Sequence, residues 1–433
     1  MTKRGIPAIT VCSTAFIVLG RKQLKALGCE NHPIAIIPHP FGISTREQVK
    51  SIAEKCVDDI ARIAIDPKAG TPTGAQAVRL PASAKADRIE VPEDSEEFDL
   101  FCIERRWSDG FPLRPPTLDR VERMIQASGR EAHELIAIVQ PGFGAATVEG
   151  IAINAVMAGC RPEYINTLIA AVEAITDRRF NLQGIQATTN PATPMIIVNG
   201  PEARALGVNG HLNCLGQGHW ANATLGRALR LVLQNIGGTL PGEMDRATQG
   251  QPGKYSFCFA ENEADSPWEP LHVERGFEIN DSTVTLVGAA GTVNFNTHAK
   301  DATDLLKVFA DSICFPTNND YYFGGEPWLL ISPEHAEILH REGLSKKQIK
   351  SRLWHQSQLS VDRLAAKDRM RLQHTRGAEL GVFTDSTRIP ISIKPEEVSL
   401  IVAGGPGTHS VHVPTFGHTR SVTRRIKTGV TSS

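Results

Sequence analysis

The sequence predicts an α/β protein. It divides into a partial parallel-sheet, Rossmann-like half-domain at 1–66, a connector at 67–98 and a larger multi-layer α/β body at 99–433. Three observations carry this. Short apolar strands alternate with helices of apolar periodicity in the first 66 residues, and such alternation implies a parallel sheet. Strand, glycine-rich turn and helix recur through the body. Between the two, DPKAGTPTGAQAV and VPEDSEE combine Pro, Gly, Ala and charge without periodicity, as connectors do.

In chain order, Pro7 to Val11 reads as a strand and Phe16 to Leu27 as a helix closed by Gly28. Ile34 to Pro38 is a second strand. Ser44, with Glu47 three residues on, reads as a capping box opening a helix to about Ile65, whose Val49, Ile52, Ala53 and Cys56 share a face. Two strands cannot bury both faces of a parallel sheet. The missing strands are expected from the body, from a second copy or from another polypeptide. In the body, Thr117 should cap LDRVERMIQAS, and ELIAIVQPG should lead through a glycine turn into a helix at FGAATVEGIAINAVMAG. Arg161-Pro162-Glu163 starts another helix, and MIIVNGP, STVTLVGAAG, WLLISPEH and VSLIVAGGPG read as strands, with Ser332-Pro333 a good helix start. Similar openings at Ala146-Thr147 and Ala223-Thr224 suggest an internal duplication.

Composition excludes several functions. The 433 residues carry a net charge of -1, with 41% hydrophobic and 21% charged residues, so no global field draws nucleic acid or an anionic membrane. RRIK near the C-terminus is the one basic cluster, and a solvated tail is the plainer reading of it. The opening MTKRGIPAITVCSTAF mimics a signal peptide, but its apolar run is short and broken by Pro7. No stretch approaches the ~20 apolar residues that span a bilayer. Eight cysteines (Cys12, Cys29, Cys56, Cys102, Cys160, Cys214, Cys258, Cys314) are dispersed without a CxxC pair. That suits a reducing compartment, with the cytoplasm as the expected location.

Glycine-rich turns occur at 141–145, 214–223, 288–291 and 403–407. Such turns can aim backbone N–H groups at an anion, although helix–sheet packing explains each one without a ligand. The richest chemistry lies between 199 and 275. Asn209, His211, Asn213 and Asn222 sit in a Gly-rich loop that either caps itself or holds a substrate. Arg227, Lys254 and Tyr255 are the accompanying substrate-binding candidates, the two cations offsetting charge. In GKYSFCFAENEADSPWEPLH, alternating Tyr255, Phe257 and Phe259 imply a strand with Cys258 on its other face. Glu261 and Glu263 follow at its end and His272 lies nearby, so a thiol nucleophile with an acid/base pair is one reading and an inert core cysteine the other. Cys12 ends the first strand before a helix, where the helix dipole would favour thiolate. His39 ends the neighbouring strand, and the two form a candidate reactive pair.

RGIPAITVCSTAF and LKALGCENHPIAIIPHPFG, with the helix after them, resemble the second half of the UGSC family over residues 4–65. That family is named for a (seleno)cysteine–Gly–Ser–Cys motif and is distantly similar to glycine-reductase-type selenoproteins. Cys12 and His39 match family elements, while no CGSC occurs in this chain. The resemblance therefore implies a motif supplied by a partner chain, or redox chemistry that has been lost. AINAVMAGCRPEY, NATLGRALRLVLQNIGG and GKYSFCFAENEADSPWEPLHVERGF are similar to UGSC-associated sequences for which the resemblance names no activity.

The leading expectation is a cysteine-dependent enzyme subunit, of lyase, hydrolase or reductase type. It would make or break a carbon–heteroatom bond in a small polar molecule, with no cofactor, as a homo-oligomer or with a CGSC-bearing subunit. Cys12 or Cys258 would be nucleophile, and Glu261, Glu263, His272 or His39 acid/base. A second reading is a metal-dependent hydratase or hydrolase using the 209–275 region, with a divalent metal held by His211, Cys214, His219, Glu263 and His272. A third is a non-catalytic scaffold subunit.

Overall fold

The computed structural model describes residues 8–65 and 86–427. The N-terminal unit comprises β1 (Thr10–Ser13), α1 (Ile17–Ala26), β2 (Ile34–Ile37) and α2 (Arg46–Ile65). β1 and β2 pair in parallel, from Thr10 opposite Ile34 to Ser13 opposite Ile37. Among the described residues no further strand joins them, so this sheet keeps two strands. The capping box of α2 sits one residue beyond the expected pair. Thr45 Oγ1 accepts from the Gln48 amide at 3.3 Å and Gln48 Oε1 from the Thr45 amide at 2.8 Å, while the Ser44 hydroxyl donates to the Pro40 carbonyl.

Most of the expected connector, 67–85, lies outside the described residues. Residues 86–94 form a strap. Helix α3 (Ser95–Glu104) then begins the body a few residues earlier than expected, because Asp94 caps it by accepting from the Glu96 and Glu97 amides. There follow α4 (Leu118–Ser128), β3 (Leu135–Val139), β4 (Gly144–Thr147), α5 (Val148–Ala158), α6 (Ile165–Ile175), α7 (Leu182–Ala187), β5 (Thr193–Asn199), α8 (Pro201–Ala205), α9 (Trp220–Asn235), β6 (Cys258–Ala260), α10 (Leu271–Glu274), β7 (Thr283–Ala289) and β8 (Val293–Asn296). The remainder is α11 (Ala302–Ile313), α12 (Asn319–Phe323), β9 (Trp328–Ile331), α13 (Pro333–Arg341), α14 (Lys346–Gln356), β10 (Leu359–Ser360), α15 (Ala366–Leu380), β11 (Arg388–Ile389), β12 (Ser399–Val402), β13 (His409–Val413) and β14 (Val422–Arg425).

Two four-stranded mixed sheets organise the body, in the orders β14-β7-β5-β6 and β12-β9-β13-β8. Alternation of side chains along each strand splits the core into three apolar layers. Met195, Ile197, Phe257, Phe259 and Val287 of the first sheet meet Trp328, Leu330, Ile401 and Val413 of the second in a layer between the sheets. The opposite faces of the first sheet, Ile196, Val198, Cys258 and Leu286, pack under helices α4, α5, α6 and α9. Those of the second, Leu329, Ile331, Leu400 and Val402, pack under α11, α13, α14 and α15. The result is a helix–sheet–sheet–helix stack.

The same strand plan occurs twice. β5 runs parallel to β6 and antiparallel to β7, as β9 runs parallel to β12 and antiparallel to β13. The fourth strand of each set is exchanged: β8 pairs with β13 and β14 with β7. Both sets turn from their first strand into a helix with proline at its start, Pro201 and Pro333. The sequence cue named above lies elsewhere, because Ala146-Thr147 ends β4 and Ala223-Thr224 is inside α9.

Two other expectations change. FGAAT is a strand of a β3–β4 hairpin rather than a turn into a helix, and Thr147 caps α5 by accepting from the Gly150 amide. RRIK is no tail: Arg424 and Arg425 belong to β14 and pair with Asp177 and Asp281. Among the described residues no helix is long and apolar enough to cross a membrane.

Candidate functional site: a polar cleft beside helix α9

Arg227, Arg230 and Gln234 recur at three- and four-residue intervals along α9, which places them on one face. Arg227 is committed to structure. Its guanidinium grips Asp109 through Nε at 2.7 Å and Nη2 at 2.8 Å, and also donates to the Phe111 and Pro112 carbonyls. Arg230, one turn on, lines a cleft of about 570 Å³ together with Asp109, Gln234, Asp245, Gln251, Lys254 and Tyr255. Its Nε donates to the Lys254 carbonyl at 3.0 Å and its Nη2 to Thr193 Oγ1 at 2.8 Å, both neutral acceptors.

Lys254 Nζ meets both oxygens of Asp245, at 2.8 and 2.6 Å. Burial lowers the pKa of the Lys254 ammonium, and Asp245 opposes that shift. Burial likewise lowers that of Arg230. The tight wall loop that presents Asp245 needs left-handed backbone at Gly242 (φ 79°) and Gly250 (φ 77°). Tyr255 is half exposed at the rim, its ring 5.0 Å from that of Phe111. Arg227 cancels Asp109 and Lys254 cancels Asp245. Arg230 is left as an uncancelled cation, so the cleft favours an anion.

The N-terminal unit docks on the same wall loop. Lys22 pairs with Glu243, Arg246 lies over the Phe16 ring at 5.4 Å, and Gln23 Nε2 donates to the Pro141 carbonyl at 2.6 Å. Cys12 and His39 do not form a pair in it. A 3-10 turn (Thr14–Phe16) separates β1 from α1, so Cys12 lies inside the strand, away from the helix end. A Cβ on Gly20 would sit 3.6 Å from Cys12 Sγ, which places the thiol against α1. Burial raises the thiol pKa rather than lowering it. His39 Nδ1 lies 3.3 Å from the hydroxyl of Ser13, the next residue, whose side chain takes the other face of the strand.

The structure brings Glu261, Glu263 and His272 together as expected, but Cys258 faces away from them. Cys258 packs with the α-helical layer, while Glu261 follows the parity of Phe257 and Phe259. Burial raises the Cys258 thiol. Asn199 Nδ2 donates to Glu261 Oε2 and, at 2.9 Å, to Glu263 Oε1; the Leu271 amide donates to Glu261 Oε2 at 2.8 Å. Lys346 Nζ stands 4.0 Å from Glu261 Oε1, and His272 Nδ1 stands 3.7 Å from Glu263 Oε1. Burial pushes the Glu261 carboxyl up to about 7, with Lys346 opposing. Glu261, His272 and Lys346 are buried and Glu263 is partly exposed, and the cluster ties β6 to α10 and α14.

The asparagine loop satisfies itself. Asn222 accepts from the Asn209 amide and donates to the Asn209 and Cys214 carbonyls, and Asn213 donates to the Gln217 carbonyl. Among the described residues no group of three or more His, Cys, Asp or Glu side chains is disposed to hold a metal ion. The proposed ligands are dispersed: His211 lies by Asp265, Cys214 is buried between the sheets, His219 precedes α9 and His272 lies by Glu263. Arg230 and Asp245 were missed by sequence reasoning. The helical spacing from Arg227 could have found the first; nothing local distinguishes the second.

Fold and cleft together define a four-layer α/β protein with an anion-favouring cleft walled by a loop on which its N-terminal unit docks. Residues 1–65, which span that unit, match the UGSC family. No curated protein and no solved structure matches the chain.

Proposed function

We propose that the protein is an enzyme that makes or breaks a carbon–heteroatom bond in a small anionic molecule held in the Arg230 cleft. The observation that carries this is the pairing of an uncancelled, partly buried guanidinium with a Lys–Asp pair in one solvent-connected cavity. Arg230 anchors the anionic group. Lys254 Nζ, held by Asp245, supplies the proton that a departing heteroatom takes up. Burial of Lys254 favours this role, because a lysine with a lowered pKa gives up its proton more readily near neutrality. Core placement of Cys258 argues for proton transfer over covalent thiol catalysis at that position.

A second reading keeps thiol chemistry at Cys12, completed by a CGSC-bearing subunit or a second copy. The two-stranded parallel sheet with half-exposed Val11 and Ile36 favours it, since such a sheet leaves strand edges unpaired. All eight cysteines are free thiols, which suits a reducing, cytoplasmic setting.

The test is calorimetric titration of the full chain with phosphate and with small mono- and dicarboxylates. Saturable binding that weakens about tenfold or more in Arg230→Gln, with Lys254→Met retaining binding but losing turnover of any substrate found, supports the reading. Anion binding that is unchanged in Arg230→Gln sinks it. Native mass spectrometry of the chain co-expressed with a CGSC-bearing subunit tests the second reading.

A further inference from the structure

Two glutamines line the Arg230 cleft, Gln234 one turn beyond Arg230 on α9 and Gln251 just after Gly250 of the wall loop. Gln234 Nε2 donates to the Arg106 carbonyl at 3.1 Å and to the Ser108 carbonyl at 2.9 Å. Gln251 Nε2 donates to the Pro191 carbonyl at 2.8 Å and to the Ala289 carbonyl at 3.0 Å. Each amide nitrogen is held by two main-chain acceptors, so neither amide can be turned end for end. Both side chains therefore offer oxygen as their free end.

Neither Oε1 has a partner among the described residues, and neither is one of the orphan atoms that burial seals from solvent. Gln234 is only 6% exposed, and the surface it lines is that of the cleft. The carboxylates of the cleft offer no rival acceptor, because Asp109 is held by Arg227 and Asp245 by Lys254. What remains open is one cation and two neutral acceptors. Neutral acceptors suit neutral N–H donors. An ammonium would give up its hydration here with no free carboxylate to offset the loss.

We infer that the ligand of this cleft is a small anion that also bears a neutral N–H group, a carboxamide or a urea. The inference rests on the anion reading given above and narrows it. Arg230 takes the anionic end, and Gln234 Oε1 and Gln251 Oε1 accept from the N–H end. Side chains four residues apart on a helix stand ~6 Å apart at Cβ, which suits two groups joined by a short carbon spacer. A ketone of the same outline would cover both oxygens without supplying a donor, at the cost of their lost hydration.

Succinamate and 4-oxopentanoate are the probes. Both carry a carboxylate on the same spacer, and a methyl group replaces the amide NH2 in the second. Each is titrated by calorimetry into the full-length protein and into Gln234→Met, Gln251→Met and Arg230→Gln. Succinamate should bind saturably and about threefold to tenfold more tightly than 4-oxopentanoate, the worth of one neutral hydrogen bond. Gln234→Met should bring the two affinities together. Gln251→Met should narrow the gap, which keeps the test decisive if the change within α9 disturbs folding. Arg230→Gln should weaken both probes and leave their ratio as it was. No saturable succinamate binding, equal affinities in the unaltered protein, or an undiminished ratio in both methionine variants would overturn the inference; the anion cleft itself stands if phosphate or a dicarboxylate still binds through Arg230. Probe binding untouched by Arg230→Gln would overturn the cleft reading and this inference with it.

Discussion

Replacing Glu261 with glutamine should change the pH dependence of stability by an amount that follows from its burial. The carboxyl titrates at about 7 in the fold against an ordinary 4.5. The folded protein therefore holds this proton more tightly than the unfolded chain does. The associated stability is fully present below pH 4.5 and is lost as the pH rises to 7. At 1.36 kcal/mol per unit, the loss is about 3 kcal/mol. Glutamine keeps the shape and an acceptor for Asn199 and Leu271 but cannot ionise. Urea unfolding of both proteins at pH 5 and pH 8 isolates the effect, because Asp320 and His412 titrate in each and cancel in the difference. The variant should gain about 2.5 kcal/mol on the unaltered protein between those two pH values, since the unfolded carboxyl is already largely ionised at pH 5. Parallel curves, within about 0.5 kcal/mol of one another, would refute the idea that Glu261 is a buried carboxyl opposed only weakly by Lys346.

Three further outcomes are expected. Gly144→Ala should lower the unfolding free energy by about 1–3 kcal/mol, since a Cβ there would collide with the Ile236 carbonyl and no rotamer relieves a backbone clash; a neutral result in chemical denaturation would contradict the packing of the β3–β4 hairpin on the end of α9. Aromatic disulfide reagents at pH 8 should label Cys12 and Cys29, which are partly exposed, ahead of the six buried cysteines; rapid modification of Cys258, read by peptide mass spectrometry, would restore the thiol reading at that position. His412 is held neutral by burial, with its pKa lowered to about 4 from 6.5. Its stability is present above pH 6.5 and lost as pH falls to 4, so His412→Gln should flatten the acid limb of the stability curve by about 3 kcal/mol; an unaltered limb would exclude this histidine as its source.

Much of the fold was legible locally. β2, α2, β5 and β9 stand within a few residues of their expected places because their apolar periodicity and flanking Pro or Gly act over one turn or one strand. β1 was displaced and the β3–β4 hairpin missed, because GAAT has weak strand character of its own and is held by pairing with Leu135–Val139 and by its close approach to α9. Of the residues lining the cleft, Lys254 and Tyr255 stand in the polar stretch that the sequence singles out, and Arg227 is tied to Asp109 beside it. The gathering of Glu261, Glu263 and His272 was also read correctly, since a strand end and the following loop keep them close in sequence.

By itself the sequence determined the α/β class, the strand–helix alternation of the N-terminal unit and its likeness to the UGSC family, together with the residue types available for chemistry. Each of these depends on neighbours a few positions apart. Only the tertiary structure decided which layer the Cys258 face packs against, that the fourth strands of the two sets exchange between sheets, and that Arg230 meets Lys254 and Asp245 in one cleft. Those outcomes follow from strand parity and from pairings across tens of residues, where the competing arrangements differ in burial and hydrogen bonding of the whole chain rather than in any local preference.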